Sequence, residues 1–113
     1  MQLKYTGKLY LEIDGEKTVG PGRIELLEKI RMHGSIRKAA QEMNMSYRQA
    51  WQAIDQLNSR FTEPLVIVNR GGAGGGKAVI TTQGDQVIRE FRGFHARFKE
   101  FLEEQSDRLK RLS

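Results

Sequence analysis

The apolar positions change period along the chain, and each change predicts an element. From Lys8 to Ile13 the residues alternate, with Leu9, Leu11 and Ile13 on one face. Asp14-Gly15 then supplies a two-residue turn and Lys17-Thr18-Val19 runs back, which predicts a β-hairpin closed off by Gly20-Pro21-Gly22. From Arg23 the spacing becomes helical. Ile24, Leu27 and Ile30 recur with Leu26 beside them, and His33-Gly34 ends this first helix at a residue suited to the left-handed conformation. Ser35 caps a short second helix whose inner face is Ile36, Ala39, Ala40 and Met43. Asn44-Met45 breaks it, and Ser46 is a further N-cap candidate. The third helix runs from Tyr47 to about Phe61, with Ala50, Ile54, Leu57 and Phe61 as its buried stripe, and Thr62-Glu63-Pro64 stops it.

The remainder reads as a hairpin and a long helix. Leu65 to Val68 and Ala78 to Thr81 are β-branched runs on either side of a glycine-rich loop, Gly71 to Gly76. Thr82, with Asp85 three residues on, is placed to cap the last helix. Val87, Phe91, Phe94, Phe98 and Phe101 then step by four, three, four and three, a seam of the kind that pairs helices, with Ile88 and Leu102 on its flank. A helix from there to the end spans roughly 42 Å and outruns the core of a small domain. The first half of the seam is expected to fold back on Ile24, Leu27 and Ile30 as well as to pair. The predicted class is mainly α with small β. One domain covers 1–113: an N-terminal hairpin over 1–20, three helices over 21–62 with a helix-turn-helix at 35–61, a second hairpin over 63–82, and a pairing helix over 83–113.

Composition narrows the function classes. The 113 residues include no cysteine, which excludes disulfides, thiol catalysis and cysteine-ligated metals. No apolar run approaches the ~20 residues of a membrane helix, and the N-terminus has no apolar signal core. The cytoplasm is the expected compartment and no membrane is expected as a partner. His33 and His95 are far apart in sequence with no carboxylate at ligand spacing, so no metal, no cofactor and no catalytic site is expected. The net charge of +5 is uneven: residues 35–84 hold six basic and three acidic groups, whereas 85–113 hold seven and six. A polyanion surface therefore belongs to the middle of the chain.

That middle carries the helix-turn-helix. In such a motif one helix enters the major groove while the other crosses the backbone. At about 100° per residue, Arg48, Gln52 and Ser59 fall opposite the buried stripe of the third helix, with Gln49, Asp55 and Gln56 beside them. Arg pairs with guanine O6/N7 and Gln with adenine N6/N7. Tyr47 and Trp51 lie on the flank, where Trp51 suits either boundary packing or a base or sugar contact. The glycine loop followed by Lys77 nearly fits a phosphate-cradling nucleotide loop. It fails because Ala78 has no hydroxyl for a metal and because a strand, not a helix, follows. It fits better as a wing whose glycines let the main chain approach phosphate and whose Arg70 and Lys77 contact the DNA backbone.

Gly34-Ser35-Ile36 with Ala39-Ala40, then Met45 to Arg48, Ala50-Trp51, Leu57-Asn58, Pro64 to Val66, the glycine-rich wing and Thr81 to Gly84 together resemble the DNA-binding domain of ModE-type molybdate-responsive regulators, a winged helix related to the N-terminal module of LysR-type regulators. The resemblance covers about residues 20–95. It implies a dimeric prokaryotic transcription factor. Its reading positions would be Ser46, Tyr47, Arg48, Trp51 and Gln52, its backbone contacts Ser35, Arg37 and Lys38, and its dimer interface the Val87, Phe91, Phe94, Phe98 and Phe101 seam. Long members of the family continue into molybdate-binding domains. Because this sequence stops at Ser113, the expectation is a reader and a dimer handle, with any signal arriving by an unseen site or by a separate effector-sensing partner. The expected partner is a palindromic operator in double-stranded DNA, with the two reading helices about 34 Å apart. The alternative is a protein-interaction module on the same fold, with DNA binding that lacks strong sequence preference.

Overall fold

A computed structural model describes residues 1–69 and 77–112. The first hairpin pairs β1 (Leu11–Ile13) with β2 (Glu16–Val19). Asp14 and Gly15 both have positive φ, 51° and 83°, as a two-residue turn that follows the twist of its strands requires. The ladder slips between Leu11 and Glu12, where Leu11 faces Val19 but Glu12 faces Lys17. This bulge overturns the simple alternation expected from Leu9 to Ile13. Leu9 packs against the core and Ile13 is half-buried, but Leu11 turns out to solvent. The strand is also shorter than the apolar run that suggested it.

The segment Gly20-Pro21-Gly22 does more than close the hairpin. Pro21 is the first residue of α1 (Pro21–His33), where its fixed φ suits a helix start and its missing N–H costs nothing. Gly34 ends α1 in the left-handed region at φ 64°, its N–H donating to the Ile30 carbonyl at 2.7 Å. Ser35 caps α2 (Ile36–Glu42) by accepting from the Lys38 N–H at 3.2 Å. The turn to α3 (Tyr47–Arg60) passes through Asn44 at φ 53°, a conformation asparagine tolerates, and is closed by Met45 N–H donating to the Ala40 carbonyl at 3.0 Å. Ala39, Ala40 and Ala50 are buried between these helices with Ile24, Leu26, Leu27, Ile30, Ile54 and Leu57. Phe61 follows α3 and is half-buried.

The second hairpin pairs β3 (Val66–Asn69) with β4 (Lys77–Ile80) antiparallel, Val66 opposite Ile80 and Asn69 opposite Lys77. Val66 and Ala78 face the core while the Ile67–Val79 pair faces out. Thr81, rather than Thr82, caps α4 (Thr82–Arg108), accepting from the Gly84 N–H at 3.0 Å. The Thr81 hydroxyl also donates to the Pro64 carbonyl and its N–H to the Leu65 carbonyl, so the cap is chosen by the hairpin it closes. A 3₁₀ turn, Leu109–Leu112, ends the described chain.

Helix α4 splits into two functional halves. Its first half docks on the core through Gly84, Ile88 and Phe91, so Ile88, expected on the flank, is a core residue. Its second half extends away and gives the molecule a long axis of 61 Å against 28 and 21 Å for the others. The N-terminal arm lies along this half. The Tyr5 N–H donates to Ser106 Oγ at 2.8 Å, and Gly7 sits so close to the Phe98 ring that a side chain there would touch it. No helix among the described residues is long and apolar enough to cross a membrane.

Candidate nucleic-acid interface

The outward face of α3 begins with a fully formed cap. Ser46 Oγ accepts from the Gln49 N–H at 3.0 Å while Gln49 Oε1 accepts from the Ser46 N–H at 2.9 Å. The Ser-x-x-Gln spacing was readable in sequence, and it removes Gln49 from the free polar groups of this face. Gln56 is engaged as well, because Arg23 reaches across from α1 and donates to its side-chain oxygen. Arg23 also donates to the Thr18 carbonyl at 3.0 Å, and burial pushes its guanidinium below its usual value. Arg48 and Gln52 differ from these neighbours. Both are exposed on α3, and neither has a hydrogen bond or ion pair among the described residues.

Helices α2 and α3 meet at their first turns. The Arg37 guanidinium lies over the Tyr47 ring, 4.6 Å from its centroid, and Tyr47 in turn meets Trp51 edge-on at 6.2 Å. Trp51 is half-buried and packs against the core as well as against Tyr47. Lys38 is exposed beside Arg37. Ser35 uses an oxygen lone pair for its cap and keeps its hydroxyl proton for another acceptor.

The wing joins this surface through its main chain. The Ala78 N–H donates to the Gly34 carbonyl at 2.9 Å, which places the start of β4 against the turn that leads into Ser35. Lys77 and Ser35 are the chain neighbours of that hydrogen bond, so the wing cation and the α2 cap belong to one corner of the molecule. Lys77 is exposed. Arg70 and the glycines from Gly71 to Gly76 lie outside the described residues. Of the expected site residues, Lys77 and Ser35 thus meet at one corner, and Arg37 and Tyr47 meet where α2 joins α3.

The expected dimer seam is not a single surface. Phe91 is buried and Val87 packs against the same core, Phe98 is half-covered by the arm at Gly7, and Phe94 and Phe101 stand 54 % and 57 % exposed. Beside them a groove of about 500 Å³ is lined by Leu9, Leu11, Val87, Phe91 and Phe94. His95 stacks on Phe91 at 5.8 Å, and His33 contacts the Glu42 carboxylate, a pairing between helix ends that spacing along the chain did not reveal. Among the described residues, no group of three or more His, Cys, Asp or Glu is placed to hold a metal ion.

A family model described as the bacterial regulatory helix-turn-helix protein, LysR family, matches residues 22–85, the span from the first turn of α1 through the wing to the start of α4. The chain belongs to this LysR-type helix-turn-helix family. It is also similar to three longer bacterial proteins. One is the molybdenum transport protein ModE of Azotobacter vinelandii, 33% identical over 110 residues, which are 97% of this chain and 41% of the relative. A second is the molybdenum-pterin-binding protein MopA of Rhodobacter capsulatus, 45% identical over 83 residues, or 74% and 31% of the two chains. The third is the DNA-binding transcriptional dual regulator ModE of Escherichia coli K12, 38% identical over 81 residues, or 72% and 31%. The chain thus spans less than half the length of each, and the ModE resemblance read over about residues 20–95 is borne out.

Proposed function

We propose that this LysR-type chain reads DNA as a homodimeric transcription regulator in the cytoplasm and that its targets belong to molybdenum metabolism. The observation that carries the reading is the exposure of Arg48 and Gln52 on α3, neither of them bonded among the described residues, together with the basic first turn of α2. An Arg and a Gln one helical turn apart suit guanine and adenine edges in the major groove. Tyr47 and Trp51 present ring edges suited to thymine methyls or sugars. Ser46 joins them at the start of the reading helix. Ser35, Arg37, Lys38, Lys77 and Arg70 supply phosphate contacts that set the register. Phe94 and Phe101 are the part of the seam left free for a second copy, and a two-fold dimer would place its reading helices on a palindromic site. The molybdenum assignment rests on the names of the relatives.

Selecting bound sequences from a random DNA pool tests this reading. The expected product is a palindrome with half-sites one helical turn apart, about 10 base pairs. Retention of every sequence alike, lost at moderate salt, would instead favour the interaction-module alternative.

A further inference from the structure

Asn58 lies near the end of α3, away from the Arg48–Gln52 pair, and among the described residues its side-chain hydrogen bonds all go to the entry of β3. Its Oδ1 accepts from the Leu65 N–H at 2.8 Å and the Val66 N–H at 3.2 Å, while its Nδ2 donates to the Val66 carbonyl at 3.0 Å. One amide therefore satisfies three main-chain groups where the chain enters β3. Leu65 and Val66 are buried, so these groups would otherwise lose their hydrogen bonds to water without replacement. The opposite side of the same entry is held by Thr81, whose N–H donates to the Leu65 carbonyl at 3.0 Å and whose hydroxyl donates to the Pro64 carbonyl at 2.7 Å. The far strand is held by the Ala78–Gly34 hydrogen bond. Of these ties, the one made by Asn58 links the wing directly to the reading helix.

We propose that Asn58 is a positioning residue that sets the wing against α3, so that Lys77 meets phosphate in the same docking event in which Arg48 meets base edges. This rests on the DNA-reading function proposed above. The chemistry explains why an amide is needed. Asparagine offers an acceptor and a donor on one planar group, which fits a residue whose N–H and C=O both face it. A carboxylate keeps the acceptor but sets an oxygen against the Val66 carbonyl. A wing fixed in advance adds its phosphate contacts without the ordering cost of a wing fixed on binding.

The test compares wild type, Asn58→Asp, Lys77→Ala and the double variant on the selected operator and on an unrelated duplex over a range of salt. Amide exchange at Leu65 and Val66 is measured in the free proteins. Asn58→Asp is nearly isosteric and keeps two of the three hydrogen bonds, so the fold survives; a thermal melt checks this, and Asn58→Ser serves as the uncharged partner. The expected result is faster exchange at Leu65 and Val66, an affinity loss of about tenfold on both duplexes with unchanged base preference, and a salt slope shallower by about one. Lys77→Ala should then add little to Asn58→Asp. If the two losses multiply, or Asn58→Ser leaves the salt slope unchanged, the positioning role is overturned while DNA reading stands. If the wild type selects no sequence, the DNA reading fails and the positioning role falls with it, whatever the exchange rates show.

Discussion

The guanidinium of Arg37 rests on the ring of Tyr47, 4.6 Å from its centroid, and so joins the two helices of the motif at their first turns. Ring and cation attract by about 0.5–1 kcal/mol at an exposed site. The stack also holds a long side chain in one orientation before DNA arrives. Tyr47→Ala should therefore lower affinity for all sequences by about two- to fivefold through Arg37, in addition to any base contact the ring makes. Tyr47→Phe should keep the Arg37 part. Titration of a Tyr47→Ala/Arg37→Ala double variant checks this: the pair should lose less than the sum of the two single variants.

Arg48 and Lys77 should fail in different ways. Arg48→Ala is expected to cost about 1–3 kcal/mol on the operator and to relax base preference at one position. Lys77→Ala should weaken binding to every duplex alike and reduce the salt slope by about one. Binding curves on the operator, a single-base variant and an unrelated duplex at several salt concentrations separate the two patterns. If Arg48→Ala leaves operator preference unchanged, α3 does not read bases through this residue.

Sequence periodicity revealed the helices of this fold well and their mutual contacts poorly. The Ala50, Ile54, Leu57 stripe was plain because a helix writes its buried face into local spacing. Leu11 was misplaced because a bulge depends on the partner strand. Thr81 and Thr82 are equally able to cap a helix, and the choice was made by Pro64 and Leu65, some 16 residues away. Val87 and Ile88 present the same ambiguity: the seam pattern selected Val87, but docking on the core selected Ile88. At the candidate interface, Arg48 and Gln52 were legible as the face opposite a stripe. The Arg37–Tyr47 stack and the Asn58 hydrogen bonds were not, since each depends on how two elements cross.

The α1–α4 junction should carry a pH signature. Arg92 Nη2 and Nε donate to Glu28 at 2.6 and 3.1 Å, and this hydrogen bonding, with the attraction of the two charges, holds the Glu28 carboxyl below its ordinary value despite partial burial. A carboxyl depressed on folding stabilises the folded state above its unfolded value, and that contribution disappears as pH falls through the folded value. The pair is partly exposed, so its worth is on the order of 0.5 kcal/mol. Glu28→Gln should lower the melting temperature by a few degrees at pH 7, and the gap should close on acidification below about pH 4. Melts of both proteins across pH check the closing gap.

Two glycines of α4 should respond to alanine with opposite signs. A Cβ at Gly84 would lie 2.5 Å from the Leu65 carbonyl oxygen and 2.8 Å from Ile80 Cγ2, so α4 docks on the wing root only because no side chain intervenes. Crowding of this kind costs about 1–3 kcal/mol, which exceeds the gain of up to ~1 kcal/mol from replacing glycine inside a helix. At Gly93 the nearest atom is the flexible end of Arg97 at 3.9 Å. Gly84→Ala should destabilise and Gly93→Ala should stabilise, by about 0.5–1 kcal/mol in the second case. Denaturant unfolding of the two variants measures both.

The division of the seam determines which aromatic residues can test pairing. Phe91 is 7 % exposed and belongs to the core, so replacing it with serine should unfold the protein rather than only separate subunits. Phe98 lies under the arm at Gly7. Phe94 and Phe101 are more than half exposed and seven residues apart, two turns along one helix face. Large aromatics so exposed on one chain are well placed for burial against a second. The double variant Phe94→Ser/Phe101→Ser should therefore keep the wild-type helical content while light scattering falls to the 12.9 kDa of a single chain. Operator affinity should fall with it, because two half-sites would then be bound independently, whereas binding to a single half-site should be unchanged. A variant that remains dimeric would place the interface elsewhere, and a wild type that is already monomeric at micromolar concentration would remove the pairing role from α4.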